Sequence, residues 1–441
     1  MIKNCMVRLK LRALLSGLEC AGLVALLTMW TSVVFADEFA LDLATLEQLS
    51  PAVGTVIDSS NVGEHIDLLD PDLAALIGQD WLSITVGEIS DFRPHENFVT
   101  ATAEFGSGTA LGSNPGELFE YVAGRPFPGV PNLDDARAGE KLAWNMRYVY
   151  GGDSGQIPEM YWYYIDMHSQ SVERVLEFEA SQMRFKHRHV LSPTPELKRN
   201  THDVFSAITL EALEPGDVAK TKLLIFYNSD DTQAEQGWMY VPLLRRVRRI
   251  ATTARTDSFL GSDIMIEDFL GYSGRIMDMD WKFVGETHKL LPMYSHDKVP
   301  LSDKKARKGN YNFVDFHGHS GCFPNVTWQP RKVYILEGRP KRADHPIGTR
   351  FFYIDAQTMS PVFGKIYDRA DVLWKYVMVG LAHPDEHLPE NAGTGVPMID
   401  TASVVDVQNM HCTALQMVTK ANIDKVKRKE FEPSSLNTGA R

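Results

Sequence analysis

What this chain lacks narrows its chemistry before any motif is sought. Its four cysteines, spread over 441 residues, form no Cys-x-x-Cys pair, and there is no His-Glu-x-x-His and no phosphate-cradling glycine loop. The common thiol-redox, zinc-hydrolase and nucleotide-binding devices therefore have no residues to carry them. Positive charge is also short: 45 Lys and Arg stand against 57 Asp and Glu, a net −12, which opposes a nucleic-acid partner. No segment repeats at a fixed short period. After the first 36 residues, no apolar run approaches the roughly 20 residues that a bilayer-spanning helix needs.

The one long apolar run stands at the start. Lys3, Arg8, Lys10 and Arg12 precede Ala13 to Phe35, and Val34-Phe35-Ala36 offers small residues where a signal peptidase would cut. Residues 1–36 thus read as a signal peptide cleaved near Ala36, and the protein as periplasmic, with an uncleaved anchor as the alternative. Glu19 before Cys20 spoils a lipobox. Loss of the leader removes four basic residues and one acidic one, so the remainder is more acidic still. It keeps only Cys322 and Cys412, expected to form one disulfide in an oxidising compartment.

Residues 37–80 read as an N-terminal helical segment. Leu41, Leu43, Leu46 and Leu49 have helical spacing, and Asp70-Pro71 opens a second helix that Gly78 closes. From Trp81 to about 420 the pattern is that of strands. Ala143 to Tyr150 alternates, with Trp144, Met146, Tyr148 and Tyr150 on one face. Further runs follow at 160–167, 171–190, 204–213, 219–228, 236–249, 275–287, 331–338, 350–355, 361–368 and 372–379, bounded by Gly, Pro, Asp or Asn. The expected fold is mainly β with a few helices (α+β), built on one large antiparallel sheet. Residues 297–312 read as an exposed excursion, 381–400 as a loop and 421–441 as a solvated tail.

Two sets of side chains could carry function. Trp144, Met146, Tyr148 and Tyr150, with Trp162, Tyr164, Trp374, Tyr376 and Met378, are either ordinary sheet core or the wall of an apolar cavity, for which pliant methionine and broad aromatic rings are suited. Read as one strand, 238–250 begins apolar and ends in Arg245, Arg246, Arg248 and Arg249. Arg246 and Arg248 share parity with Trp238 and Tyr240, so they either form a solvated strand end or meet an anionic headgroup at a cavity rim. His317 and His319 with Cys322 form an incomplete ligand set, and Gly318-His319-Ser320-Gly321-Cys322 misses the nucleophile-elbow pattern at its last position. Neither a metal nor a cofactor is expected, and the chain does not read as an enzyme.

Gln236-Gly237-Trp238-Met239-Tyr240-Val241-Pro242-Leu243-Leu244, the arginines that follow, Gly261-Ser262-Asp263, Glu267-Asp268-Phe269 and Asp280-Trp281-Lys282 form one set of motifs. Tyr121-Val122-Ala123-Gly124-Arg125-Pro126-Phe127-Pro128, Lys141-Leu142-Ala143-Trp144-Asn145, Arg350-Phe351-Phe352-Tyr353-Ile354-Asp355 and Val405-Asp406-Val407-Gln408 form another. Together they resemble the periplasmic family of outer-membrane lipoprotein-sorting proteins, related to the lipoprotein carrier LolA. The resemblance spans roughly Leu73 to the tail. It implies a half-open antiparallel β-barrel curled around helices, with an apolar concavity for a lipid or other hydrophobic compound. It also implies work alongside an inner-membrane transporter of the resistance-nodulation-division type. A periplasmic hydrolase of a lipidic substrate and a non-catalytic envelope assembly subunit are the alternatives.

Overall fold

The computed structural model describes residues 38–200, 202–250, 255–307 and 309–437; the expected leader and its cleavage site lie outside them. Four α-helices lie wholly within the described residues: α1 (Leu43–Leu49), α2 (Pro71–Gly78), α3 (Glu96–Phe105) and α4 (Ala138–Arg147). The start of α2 follows from its sequence. Asp70 Oδ1 accepts the amides of Asp72 at 3.0 Å and Leu73 at 3.1 Å, and Pro71 occupies a first-turn position whose N–H would find no partner.

The body of the protein is one sixteen-stranded sheet. Its strands are β1 (Val56–Ile57), β2 (Ile84–Val86), β3 (Ser154–Asp166), β4 (Ser171–Arg184), β5 (Val204–Glu214), β6 (Lys222–Asn228), β7 (Gln236–Val241) and β8 (Arg246–Ile250), then β9 (Met279–Leu291), β10 (Met293–Tyr294), β11 (Thr327–Pro340), β12 (Ile347–Asp355), β13 (Pro361–Asp368), β14 (Leu373–Ala382), β15 (Met398–Asp406) and β16 (His411–Ala421). The order runs β1-β2-β11-β12-β13-β14-β15-β16-β3-β4-β5-β6-β7-β8, with β9 beside β11 and β10 beside β14. Neighbours are antiparallel except at β2/β11 and β10/β14. Among the described residues the edges at β8 and β9 do not pair, so the barrel stays half-open.

Side chains alternate between the two faces. One face carries Trp162, Tyr164, Leu176, Phe178, Leu336, Phe352, Leu415 and Met417, packed against Leu142, Trp144 and Met146 of α4. The other carries Tyr353, Phe363, Tyr376, Met378 and Ala414, covered by Leu73 and Ile77 of α2 and by Val314 and Phe323. Gly139 lets α4 lie against β9, because a Cβ there would stand 2.6 Å from the Lys282 amide nitrogen.

Three expectations are corrected. Residues 143–150 are not a strand: 138–147 form α4, and Trp144 stacks on Tyr148 one turn later, centroids 5.7 Å apart. The helix does carry polar residues (Glu140, Lys141, Asn145 and Arg147) among its apolar ones, but the window 143–150 begins in its second half and runs past its end, so the alternation of Trp144, Met146, Tyr148 and Tyr150 joins the last helical turn to the segment that follows it. Nor is 236–249 one strand. A 3₁₀ turn at Pro242–Leu244 and a left-handed Arg245 (φ 47°) reverse the chain, so Arg246 pairs with Val241 and Arg248 with Met239. The solvated tail is in fact docked: Val426, Phe431 and Leu436 are buried against Phe185, Leu224 and Tyr240.

Candidate functional site: an apolar cavity with a basic end

The face that carries α4 also holds a cavity of about 240 Å³, bordered by Met146 and Tyr150 beside α4 and by Ala180, Phe205, Ile399 and Met417 of the sheet. Its wall draws on β13, β14, β15, β16, β3, β4, β5 and β6. Strands lie about 4.8 Å apart, so these eight would span roughly 33 Å if flat. They can share so small a cavity only because the sheet curls around it.

One end of the cavity is polar. Arg147, at the last turn of α4, donates through Nη1 to the Gly274 carbonyl at 3.0 Å and stands 3.3 Å from Asp231 Oδ1, while its Nε has no partner. Arg184, the last residue of β4, is 3% exposed and gives Nη2 to the Val149 carbonyl. Its Nε and Nη1 bond nothing, and among the described residues no carboxylate lies within ion-pair reach of it. The Ser206 hydroxyl, also on the cavity wall, has no partner either.

The groups around Arg184 offer it no negative charge. Burial pushes the Tyr148 and Tyr150 phenols up to about 12 and the His187 imidazole down to about 3, so all three are neutral near pH 7. Burial also opposes the charge of the nearby Asp153, but the His189 imidazole, its Nδ1 3.6 Å away, and hydrogen bonds from the amides of Val190, Leu191 and His189 hold its carboxyl down at about 2. That charge is thus engaged by the 189–191 loop.

The predicted residues are distributed unevenly about this site. Met146 and Tyr150 border the cavity. Trp144, Tyr148, Trp162 and Tyr164 pack on the same face without lining it, and Tyr376 and Met378 lie on the opposite face. Trp374 gives its indole N–H to Asp406 at 2.8 Å. Arg246 and Arg248 are exposed on the edge strand and do not border the cavity. Sequence reasoning missed Arg147, Arg184 and Ser206. A signal for Arg184 existed, since it shares parity with Leu176, Phe178 and Ala180 and so ends a buried apolar row with a charge.

Cys322 and Cys412 form the expected disulfide, S–S 1.96 Å across 90 residues, which removes Cys322 from any ligand set with His317 and His319. His319 instead stacks on Trp81 at 5.1 Å. The Ser320 hydroxyl of the near-elbow donates to the Met167 carbonyl at 3.3 Å. A different cluster, unannounced by any motif, joins His296, His387 and Asp400. Its atoms already bond one another: Asp400 Oδ2 lies 2.7 Å from His296 Nδ1 and 3.2 Å from the Tyr311 hydroxyl, and Tyr294 also donates to Asp400. Burial pushes His387 down to about 4.

Two more open clefts differ in lining: one of about 520 Å³ mixes Arg188, Lys198 and Asp424 with Met183, Leu197 and Ile423, and one of about 440 Å³ by Glu173, Asp263 and His411 is mainly polar. The curled-sheet cavity is the most apolar of the three.

A family described as protein of unknown function (DUF1329) matches residues 56–437. The chain belongs to this family. A DUF1329 protein from Desulfovibrio piger is similar in structure at 18% identity, covering 69% of this chain and 99% of that one with a TM-score of 0.47. A structure from Vibrio parahaemolyticus, described as an outer membrane lipoprotein-sorting protein domain, matches at 16% identity over 69% and 100% of the two chains, TM-score 0.46. A LolA superfamily protein from Nitrosomonas europaea matches at 9% identity over 67% and 97%, TM-score 0.38. No curated protein matches this DUF1329 chain. No helix among its described residues is long and apolar enough to cross a membrane.

Proposed function

We propose that this DUF1329 protein is a periplasmic carrier that shelters a lipid or other hydrophobic compound in the curled-sheet cavity and exchanges it with an inner-membrane transporter of the resistance-nodulation-division type. The observation that carries the reading is the cavity itself, an apolar hollow closed by eight strands on the face that α4 covers. Its volume of about 240 Å³ lies just below the roughly 300–1,000 Å³ of pockets for drug-sized ligands. One acyl chain or a small hydrophobic molecule suits it better than the three chains of a lipoprotein anchor. Catalysis plays no part in this reading.

Two measurements test it. Protein isolated from the periplasm under native conditions is extracted with organic solvent and the extract analysed by mass spectrometry; a defined hydrophobic compound at near-stoichiometric amount is expected. Binding of the neutral fluorophore N-phenyl-1-naphthylamine is then compared across the native chain, Ala180→Trp and Ile399→Trp. Either tryptophan fills the cavity and is expected to weaken binding by roughly tenfold or more, since each buried CH₂ that the ligand loses is worth about 0.8 kcal/mol. Unchanged binding in both variants would remove the cavity from the mechanism.

A further inference from the structure

Burial of a cation without a partner is costly, and proteins keep one where something else supplies the charge. Arg184 is such a cation: 3% exposed, on the cavity wall, with Nε and Nη1 unbonded. Other deeply buried arginines of this fold show the usual arrangement. Arg331 meets Asp355 at 2.7 Å, Arg350 meets Asp268 at 2.6 Å, and Arg125 meets Glu38 at 2.6 Å. Arg188, 5% exposed, also lacks a carboxylate among the described residues, but its guanidinium is taken up by the carbonyls of Pro193, Asp153, Arg184 and Leu191. Arg184 leaves two of its three guanidinium nitrogens unbonded, and does so where an apolar hollow adjoins it. Two further unbonded groups border the same hollow, Arg147 Nε and Ser206 Oγ.

We propose that Arg184, assisted by Ser206 and Arg147, binds the oxyanion head of a single-chain amphiphile, a carboxylate or a phosphate monoester, whose tail occupies the apolar part of the cavity. The planar guanidinium suits such a head because two of its N–H groups can meet two oxygens at once. Arg147 contributes a hydrogen bond more than net charge, because Asp231 already balances it. The assignment rests on the carrier reading and adds to it the chemistry of the cargo.

The test is displacement of N-phenyl-1-naphthylamine from the full chain by hexadecanoate, hexadecyl phosphate, hexadecanol and inorganic phosphate, each below its aggregation concentration. The native protein is expected to prefer at least one of the two anionic amphiphiles over hexadecanol by roughly tenfold or more, the scale of a charge-assisted hydrogen bond. Arg184→Met should abolish that preference while leaving hexadecanol unchanged, and Ser206→Ala should reduce it by a smaller factor. Where thermal unfolding shows that Arg184→Met does not fold, Arg184→Lys, which keeps the charge but loses the fork, should give a preference between the two extremes. Equal affinity for hexadecanol and both anions in the native protein overturns the headgroup assignment and leaves the carrier reading standing. Displacement by inorganic phosphate alone assigns the site to a free anion and overturns the amphiphile. If neither the fluorophore nor any amphiphile binds, the carrier reading falls with it.

Discussion

Two groups of arginines divide this molecule. Arg245, Arg246, Arg248 and Arg249 crowd five positions at the outer hairpin and are all exposed, whereas Arg125, Arg184, Arg331 and Arg350 are scattered through the chain and are no more than 3% exposed. The dense group catches the eye in the sequence, yet its position in the turn before β8 and along that edge strand fits a simpler role. Charge along an open edge discourages another chain from adding a strand there. The scattered group is where each charge is held by specific partners or, for Arg184, awaits one. Clustering in sequence thus marks solvent in this protein, and isolation on an apolar face marks structure or binding.

The largest effect expected from this contrast is at Arg350, whose guanidinium is bonded by Glu267 and Asp268 in the interior. Arg350→Ala leaves Asp268 without its cation and Glu267 with only His345, 3.3 Å away, and should cost about 3–5 kcal/mol in urea unfolding; a loss under about 1 kcal/mol would mean that the interior arginines are no better engaged than the edge ones. Next comes the disulfide. Cys322→Ser with Cys412→Ser should lower stability by about 2–5 kcal/mol, read by thermal unfolding with and without reductant, and the reductant should no longer matter in the double variant.

A pH titration probes the neighbourhood of Arg184. The folded Asp153 carboxyl sits at about 2, below the roughly 3.9 of an unfolded chain. Its contribution of about 2–3 kcal/mol is therefore fully present above pH 4 and lost as pH falls from about 4 through 2. Asp153→Asn should flatten that part of the stability curve. The smallest effect belongs to the edge: Arg246→Gln with Arg248→Gln should shift stability by no more than about 0.5 kcal/mol while raising concentration-dependent association in light scattering. A shift of several kcal/mol would erase the distinction between the two groups.

Much of the sheet was legible in the sequence because its strands alternate and end at turn residues. Of the eleven runs read as strands, 204–213 and 361–368 came within a residue of β5 and β13. Helix α2 was legible from Asp70-Pro71 and Gly78 alone. Helix α4 was not, because the alternating window 143–150 straddles its C-terminal end at Arg147 and leaves out Ala138 to Leu142, where Glu140 and Lys141 would have shown the helical period. The 236–250 hairpin was hidden by a turn made without glycine or asparagine, at Pro242 and a left-handed Arg245. β15 and β16 were missed where 381–400 was taken as loop and nothing after it as strand. The apolar character of the site was readable and its wall was not, since which face of each strand lines a hollow depends on how the whole sheet curls. That is why Met146 and Tyr150 reach the cavity while Tyr376 and Met378, with the same alternation, lie behind it.

The order of strands also sets how this molecule can assemble. β16, the last strand of the sheet in sequence, lies between β15 and β3, the first long one, with Ala414 opposite Tyr163 and Cys412 opposite Ile165. Until that pairing forms, the sheet exists as two separable halves, β3 to β8 and β11 to β16, each with a raw central edge. Contacts so distant along the chain form slowly because a long loop must close first. The seam between β16 and β3 is therefore the expected rate-limiting event of folding, the interval in which the chain is most open to aggregation, and the step that a chaperone would have to guard.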